Sequence, residues 1–318
     1  MKIEVHIRED GGYGDISSGI NIAKYFKKLG YDVVLTFSPD PNTLKKYMEI
    51  SGNNSYGFNI DYNNKNDAPV RIMAFTDVDN HFLPKKISIL ISQYNSSICG
   101  IERLSDYTIL SGLGIEDEYE YLRYIWGKES TKSFILSGLY ILDYKRYDKE
   151  YVFSKLYEFL SEKYKLEKVK KFFDKMLNKL WATSYSGELG IDGLFFDALA
   201  NAVKKSEKLK NGVYVLSFID WFEFEKTTKE ICIKNDFNVI NFIEKDVEIH
   251  NNFSPITVIN FGIVPDDVYE AVVYTSELIN ITAGDGSFSK AFTSTLYTDT
   301  PFLRYYNLNQ KGFIKGLI

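Results

Sequence analysis

The chain has 318 residues, of which 45% are hydrophobic and 25% charged, with a formal net charge of −5. This composition indicates a globular protein with a substantial core and argues against extended disorder. The negative charge argues against nucleic acid as a partner, because phosphate binding needs clustered Lys and Arg. No apolar run approaches the roughly 18 residues of a membrane span, and the chain begins directly with a strand pattern. We therefore expect a cytoplasmic protein without a transmembrane segment.

Cysteine and histidine are too sparse to predict a metal site. Cys99 and Cys232 lie far apart and follow no metal-binding spacing, so we expect free thiols in a reducing compartment. The three histidines are scattered along the chain, which argues against a zinc centre. We predict neither a bound metal nor a cofactor.

The first half of the chain alternates strand and helix patterns. The sequence predicts a strand at 2–8, an amphipathic helix at 15–29 and a second strand at 31–37. Together these segments are long enough for a right-handed βαβ crossover. A helix is predicted over 41–51. Short apolar runs that suit a buried parallel sheet predict further strands at 70–75, 87–91, 107–110 and 133–137.

A charged amphipathic helical pattern then leads into a second α/β half. Strands are predicted at 181–185, 213–219, 237–243, 256–261, 278–282 and 301–305, and helices at 192–208, 222–233, 266–274 and 287–297. The fold class is therefore α/β, with two doubly wound Rossmann-like domains. The expected boundaries are 1–150 for the first domain, 151–180 for a helical bridge and 181–318 for the second domain.

A glycine-rich turn, Gly11-Gly12-Tyr13-Gly14-Asp15, joins the first predicted strand to the first helix. Gly12 and Gly14 allow a ligand to approach the backbone closely. Asp15, with Asp10, is a candidate carboxylate that accepts a proton from an incoming nucleophile. In the alternative interpretation, Asp15 is only the N-cap of the helix. The turn lacks the third glycine of a dinucleotide-binding motif, and no Gly-Lys-Ser/Thr sequence of a P-loop occurs.

A second turn, Gly284-Asp285-Gly286-Ser287-Phe288, lies between a predicted strand and a predicted helix. The unpaired N–H groups and the positive dipole end of that helix favour a phosphate. Gly284 and Gly286 free the backbone, Ser287 adds a hydroxyl, and Asp285 suits hydroxyl groups of a ligand better than a diphosphate. The alternative is an ordinary turn capped by Ser287. Because ligands bind at the carboxyl ends of parallel strands, we expect both turns to face a cleft between the domains.

Together these segments resemble GT-B glycosyltransferases and, among them, the bacterial protein-arginine rhamnosyltransferases. The resemblance is carried by Asp10-Gly11-Gly12-Tyr13-Gly14-Asp15-Ile16, Val264-Pro265-Asp266-Asp267-Val268-Tyr269-Glu270, Gly284-Asp285-Gly286-Ser287-Phe288 and Pro301-Phe302.

The resemblance implies an N-terminal acceptor domain, a C-terminal donor domain and a role for several residues. It makes Asp15 the general base or a carboxylate that orients the acceptor, and it places Asp285 and Ser287 at the donor's ribose or diphosphate. It also implies that the loop 261–265, including Phe261 and Ile263, holds the base through its backbone. Tyr185 would line the nucleotide pocket.

The implied reaction is transfer of a sugar from a nucleotide sugar by direct displacement, with inversion and without a metal. Helix N–H groups would offset the charge of the leaving diphosphate, and Lys290 and Arg304 are candidate assisting cations. The acceptor is left open, with a protein as one candidate. Two alternatives stand beside this prediction: an enzyme related to sugar-nucleotide epimerases, and a non-catalytic binding or regulatory protein with the GT-B fold.

Overall fold

A computed structural model of the protein contains two compact units, the first formed by residues 1–140 and 306–318 and the second by residues 141–305. Each unit is built on its own seven-stranded sheet. The residues that the structure describes are 1–8, 13–52, 56–74, 87–92, 107–110, 133–135, 144–162, 164, 170, 173, 176, 178–185, 189–243, 246–250, 254–283 and 285–304.

The first unit is an open parallel sheet with the strand order β3-β2-β1-β4-β5-β6-β7. Its elements are β1 (Lys2–Ile7), α1 (Gly14–Lys28), β2 (Asp32–Phe37), α2 (Pro41–Ser51), β3 (Asn59–Ile60), β4 (Val70–Ala74), β5 (Ile87–Ser92), β6 (Tyr107–Leu110) and β7 (Ser133–Ile135). The predicted strands and both predicted helices are confirmed, whereas the two-residue β3 was not predicted. The order reverses between β1 and β4, so the crevice of this sheet lies at their carboxyl ends.

The second unit contains six parallel strands and one antiparallel edge strand, in the order β11-β10-β12-β9-β8-β13-β14. Its strands are β8 (Leu180–Tyr185), β9 (Val213–Ser217), β10 (Asn238–Ile243), β11 (Asp246–His250), β12 (Ile256–Asn260), β13 (Asn280–Thr282) and β14 (Phe302–Arg304). Its helices are α3 (Lys149–Ser161), α4 (Leu189–Lys205), α5 (Trp221–Glu223), α6 (Lys229–Lys234), α7 (Asp266–Thr275) and α8 (Asp285–Thr298). The edge strand β11 was not predicted.

The segment predicted as a bridge contributes to the core of the second unit. Val152, Leu156 and Leu160 on α3 are fully buried in the cluster that contains Trp181 of β8. The side chain of Met176 joins the same cluster. These contacts place α3 in the second unit, while the exact domain boundaries stay a prediction.

The helix predicted over 222–233 is divided into three segments. A π-helical segment, Phe224–Thr228, lies between α5 and α6. The Thr227 Oγ1 donates to the carbonyl of Glu223 at 2.6 Å, the carbonyl that an α-helical N–H of residue 227 would use. No helix within the described ranges is long and apolar enough to cross a membrane.

Close packing of α1 on β1 depends on Gly19. A Cβ atom added there would lie 2.6 Å from Ile7 Cγ1, well inside van der Waals contact. Ile7 is fully buried, so the isoleucine has no open space into which to move. A dinucleotide-binding motif would have its third glycine at position 17, whereas the structure places the close helix–strand contact at Gly19.

We expect Gly19→Ala to lower the free energy of unfolding by about 1–3 kcal/mol, the usual cost of overpacking a core. In an Ile7→Ala background the clash is removed, and the same change should become favourable, because alanine has the higher helix propensity. Urea denaturation followed by circular dichroism measures both effects. Gly14→Ala, where a Cβ has no neighbour within 4 Å, is the control on the same helix. If Gly19→Ala lowered the free energy of unfolding equally in the two backgrounds, a clash with Ile7 could not be the reason.

Candidate functional site

The candidate site of the second unit follows from the strand order. From β8 the chain proceeds to β9 on one side, and from β13 it proceeds to β14 on the other side. The carboxyl ends of β8 and β13 therefore form the switch point at which open α/β sheets bind ligands. Tyr185 and Thr282 are register partners at these two ends. The helix α8 begins at Asp285, three residues beyond Thr282.

Two helices cover the same face of the sheet beside this switch point. The Asn280 Nδ2 of β13 and the Ser294 Oγ of α8 both donate to the carbonyl of Val273 in α7, at 3.2 and 3.3 Å. Thr282 lies on the same face of β13 as Asn280, because side chains two residues apart share a face. Its Oγ1 is fully buried, and among the described residues it has no hydrogen-bond partner.

An ion pair joins the first turn of α7 to α8. The Lys290 Nζ lies 2.8 Å from Asp266 Oδ1, and the two residues are only 1% and 6% exposed. Lys290 was predicted as a candidate cation for a diphosphate. The structure shows that its charge is matched within the protein by Asp266, so the pair as a whole is neutral.

Two tyrosines and a serine surround this ion pair. The ring of Tyr269 lies 5.8 Å from the Lys290 Nζ and 5.7 Å from the ring of Tyr185. The side chain of Ser287 lies beside the Tyr269 hydroxyl. Burial raises the pKa of Tyr185, with a further contribution from the negative charge of Asp266. Burial likewise raises the pKa of Tyr269 well above its ordinary value. Both hydroxyls are therefore neutral hydrogen-bond donors at physiological pH.

The residues predicted for the second turn, 284–288, occupy different places in the structure. Ser287 is buried in the first turn of α8, which begins at Asp285, so the alternative that Ser287 caps this helix is wrong. Phe288 is buried in the core, with its ring 5.6 Å from Phe292 and 5.5 Å from Phe302. The backbones of Asp285 and Gly286 belong to the same first turn. Gly284 lies outside the described residues.

The loop after β12 offers backbone groups rather than side chains. The ring of Phe261 stacks between those of Phe218 and Phe242, with centroids 5.6 Å from each, and is part of the core. Gly262 has φ +67°, which favours glycine. Ile263 is half-buried, and within the described chain neither its N–H nor its carbonyl makes a hydrogen bond. The next helix, α7, begins at Asp266.

In the first unit, Asp15 lies inside α1 rather than at its cap. The N-cap is Tyr13, and the Ser17 N–H donates to the Tyr13 carbonyl at 2.9 Å. The alternative that Asp15 is the N-cap is therefore wrong. Asp15 is a buried carboxylate in the first turn, where the helix dipole favours its ionised form. Gly14 is the first residue of the helix, while Asp10 and Gly12 lie outside the described residues.

A chain of buried polar groups runs beneath the carboxyl end of β1. Arg71 Nη2 lies 2.8 Å from Glu4 Oε1, which also accepts a hydrogen bond from Thr36 Oγ1 at 2.8 Å. The His6 Nδ1 lies 2.9 Å from the same hydroxyl. Because the single proton of Thr36 goes to the carboxylate, His6 must carry a proton on Nδ1. As a sequence pattern, His6 on the first strand favours a buried histidine over a residue at the cleft. The alternation of Glu4 and His6 on one strand face was the signal that the two side chains could share a network.

Other possible sites carry less support. Among the described residues, no group of three or more His, Cys, Asp or Glu side chains is placed to hold a metal ion. Two concave surfaces of about 450 and about 220 Å³ lie at the amino ends of strands, one beside Lys2 and Asp32 and the other beside Val213 and Thr257. Ligands of open α/β sheets bind at the opposite ends of the strands.

No protein-family model and no curated protein sequence matches the chain. Solved structures do match. An alpha-glucosyltransferase in complex with UDP and a 13-mer DNA containing a HMU base has a TM-score of 0.51 and 11% identity, over 96% of this chain and 80% of that chain. A second structure of this kind gives a TM-score of 0.47 and 11% identity, over 89% and 72%. MurG of Acinetobacter baumannii gives 0.36 and 10%, over 96% and 86%.

The chain has the GT-B fold. The match with the first alpha-glucosyltransferase structure extends over nearly the whole chain, and the two Rossmann-like sheets agree with it. At 11% identity the likeness shows the fold alone. The resemblance to protein-arginine rhamnosyltransferases stays a prediction.

We expect Lys290→Met to lower the free energy of unfolding by about 3–5 kcal/mol, because it leaves the Asp266 carboxylate buried without the cation that faces it. Adding Asp266→Asn should recover much of this loss. Urea denaturation of both single variants and the double variant measures the coupling. Lys155→Met is the matched control, since Lys155 and Glu158 form an ion pair on the surface, where such pairs contribute little. Purely additive losses in the double variant would contradict the pairing.

Proposed function

We propose that the protein is a glycosyltransferase that takes a sugar from a nucleotide-sugar donor bound by the second unit. The observation that carries this proposal is the group at the switch point of the second sheet. There the α8 N-terminus and Ser287 lie beside a buried neutral ion pair. This combination offers hydrogen-bond donors to an anion without an excess of either charge.

In the proposed complex, the diphosphate binds at the N-terminus of α8. The N–H groups in the first turn of α8, with the Ser287 hydroxyl, donate to the phosphate oxygens. Tyr185 lines the nucleotide pocket from the end of β8. Asp285 binds ribose hydroxyl groups, for which a carboxylate is a better partner than for a phosphate. No metal or cofactor is required, because helix dipoles offset the charge that develops on the leaving group.

The base binds at the loop after β12. The backbone N–H and carbonyl of Ile263 are adjacent donor and acceptor groups without partners in the described chain. Such a pair matches the edge of a nucleobase that carries one acceptor next to one donor. Phe261 supports the loop from the core, where its ring stacks on Phe218 and Phe242.

The first unit supplies the group that activates the acceptor. Asp15 removes a proton from the acceptor nucleophile as that nucleophile attacks the anomeric carbon. The bond between this carbon and the donor phosphate oxygen breaks, and the nucleoside diphosphate leaves. A single displacement of this kind inverts the anomeric configuration. Asp15 suits the role because it is a carboxylate at the carboxyl end of β1, where this sheet has its switch point.

The acceptor is proposed to be something other than nucleic acid. The matched alpha-glucosyltransferase structures contain DNA, and this chain carries a net charge of −5. A negatively charged protein lacks the excess of Lys and Arg that supplies most non-specific affinity for DNA. A protein acceptor is one candidate.

We expect a nucleoside diphosphate to raise the melting temperature of the protein. Ligand at 100 times its Kd stabilises the native state by about 2.7 kcal/mol, which corresponds to a shift of several degrees. A panel of UDP, dTDP, GDP, ADP and CDP measured by thermal denaturation identifies the base. No shift with any of the five would contradict the donor site.

Asp15→Asn should abolish sugar transfer, measured as release of nucleoside diphosphate from the nucleotide sugar, and leave the thermal shift unchanged. Asp32→Asn, at the amino end of β2, is the matched control and should retain transfer. Loss of both transfer and thermal shift in Asp15→Asn would contradict the role as base. A thermal shift without transfer in the unaltered protein, over a broad acceptor panel, would favour a binding or regulatory protein.

A further inference from the structure

A directional chain of hydrogen bonds connects the π-helical segment to the loop after β12. The Asn241 Nδ2 donates to Glu225 Oε1 at 2.8 Å, and the Asn260 Nδ2 donates to Asn241 Oδ1 at 3.0 Å. The Gly262 N–H then donates to Asn260 Oδ1 at 3.2 Å. Asn241 and Asn260 are register partners on β10 and β12, and both are fully buried.

Glu225 determines the direction of this chain. A carboxylate only accepts hydrogen bonds, so the amide nitrogen of Asn241 must face Glu225 and its oxygen must face Asn260. The nitrogen of Asn260 then faces Asn241, and its oxygen is left to accept from Gly262. A reversal of either amide would bring two donors or two acceptors together in a buried place, where mispaired groups are costly.

Glu225 is itself paired with a cation. Lys229 Nζ lies 2.8 Å from Glu225 Oε2 and 2.8 Å from Glu248 Oε2. Burial alone would lower the pKa of Lys229, but its hydrogen bonds with the two carboxylates raise it above the ordinary value. The π-helical segment, Phe224–Thr228, carries Glu225, and α6 begins with Lys229.

We propose that Glu225, Asn241 and Asn260 are positioning residues for nucleotide binding, which hold the loop 261–264 so that the Ile263 backbone faces the base. This inference rests on the donor site proposed above. The chain of hydrogen bonds ends on Gly262, whose left-handed conformation turns the backbone immediately before Ile263. The Glu225 carboxylate, which only accepts hydrogen bonds, thus sets the orientation of the two asparagines. Through them it sets the geometry of the loop 261–264.

The decisive experiment reverses the hydrogen-bond chain while keeping its net charge. In Glu225→Gln, the new amide oxygen is drawn to Lys229 and the amide nitrogen turns toward Asn241, which forces both asparagines to reverse and removes the acceptor for Gly262. In Asn260→Asp, a carboxylate oxygen faces the Asn241 oxygen and repels it. When the two changes are combined, the introduced glutamine donates to Asn241, and the amide of Asn241 donates to the introduced aspartate. That carboxylate also accepts from Gly262, so the reversed chain is complete.

Two measurements test these variants. Hydrogen exchange of the segment 261–264 in the free protein reports the loop itself, and titration with the nucleoside diphosphate selected from the panel reports binding. We expect each single variant to speed exchange and to raise the Kd about 10-fold, the effect of mispairing one buried hydrogen bond. The double variant should restore both values to within about 2-fold of the unaltered protein. Asn238→Asp, an equivalent change at the amino end of β10, should alter neither.

The outcomes separate this inference from the proposed function. Single variants with unchanged exchange, or a double variant worse than either single one, would overturn the directional chain. Faster exchange with unchanged nucleotide affinity would overturn its role in binding. If no nucleoside diphosphate binds the unaltered protein, the donor site fails, while exchange still tests the chain of hydrogen bonds. If Asn260→Asp fails to fold, Glu225→Gln is compared with the double variant. Restoration of exchange and Kd in the double variant then still tests the reversed chain.

Discussion

The ion pair between Asp266 and Lys290 is the interaction on which the candidate site of the second unit depends. It joins the first turn of α7 to α8, the two helices that lie on one face of the sheet beside the switch point. Removing two charges from water is costly, so such a pair contributes less to net stability than to a defined geometry of its neighbours. Tyr185, Tyr269 and Ser287 are arranged around it. The pair therefore fixes the separation of two helix starts and leaves the crevice without a net charge of its own.

The same principle recurs at two other places in the chain. In the first unit, Arg71 matches the buried charge of Glu4, and the remaining hydrogen bonds determine the tautomer of His6. In the second unit, Lys229 matches Glu225, whose carboxylate orients two buried amides. In each case a charged side chain faces one of opposite sign, and the hydrogen bonds of the carboxylate orient the neighbouring polar side chains. Buried polar networks favour a single arrangement of the core to the extent that their members are hydrogen-bonded.

The sequence was sufficient to predict most elements of both sheets, because parallel strands that are buried on both faces are short apolar runs and their helices have a clear period. The functional role of the two glycine turns stays a prediction, because part of each turn lies outside the described residues. Prediction from the sequence failed where the outcome depends on long-range packing. Lys290 has the pattern of a surface residue, and only the approach of Asp266, from a different helix, explains its burial. The π-helical segment, Phe224–Thr228, was predicted as ordinary helix. The role of Gly19 depends on its distance from Ile7, which no spacing rule gives.

Paired internal charges have a consequence for how an anionic ligand would be held. Lys290 contributes little net positive potential, because Asp266 lies 2.8 Å away, and the whole chain carries a charge of −5. Attraction for a diphosphate at the switch point must then come mainly from the α8 dipole, the N–H groups of its first turn and nearby hydroxyls such as that of Ser287. Interactions of this type act over a short range and depend on orientation, whereas attraction between net charges acts at long range and is screened by salt. The site would therefore select its ligand by geometry after contact, and rigidity of the two helix starts matters more for recognition than the number of basic residues.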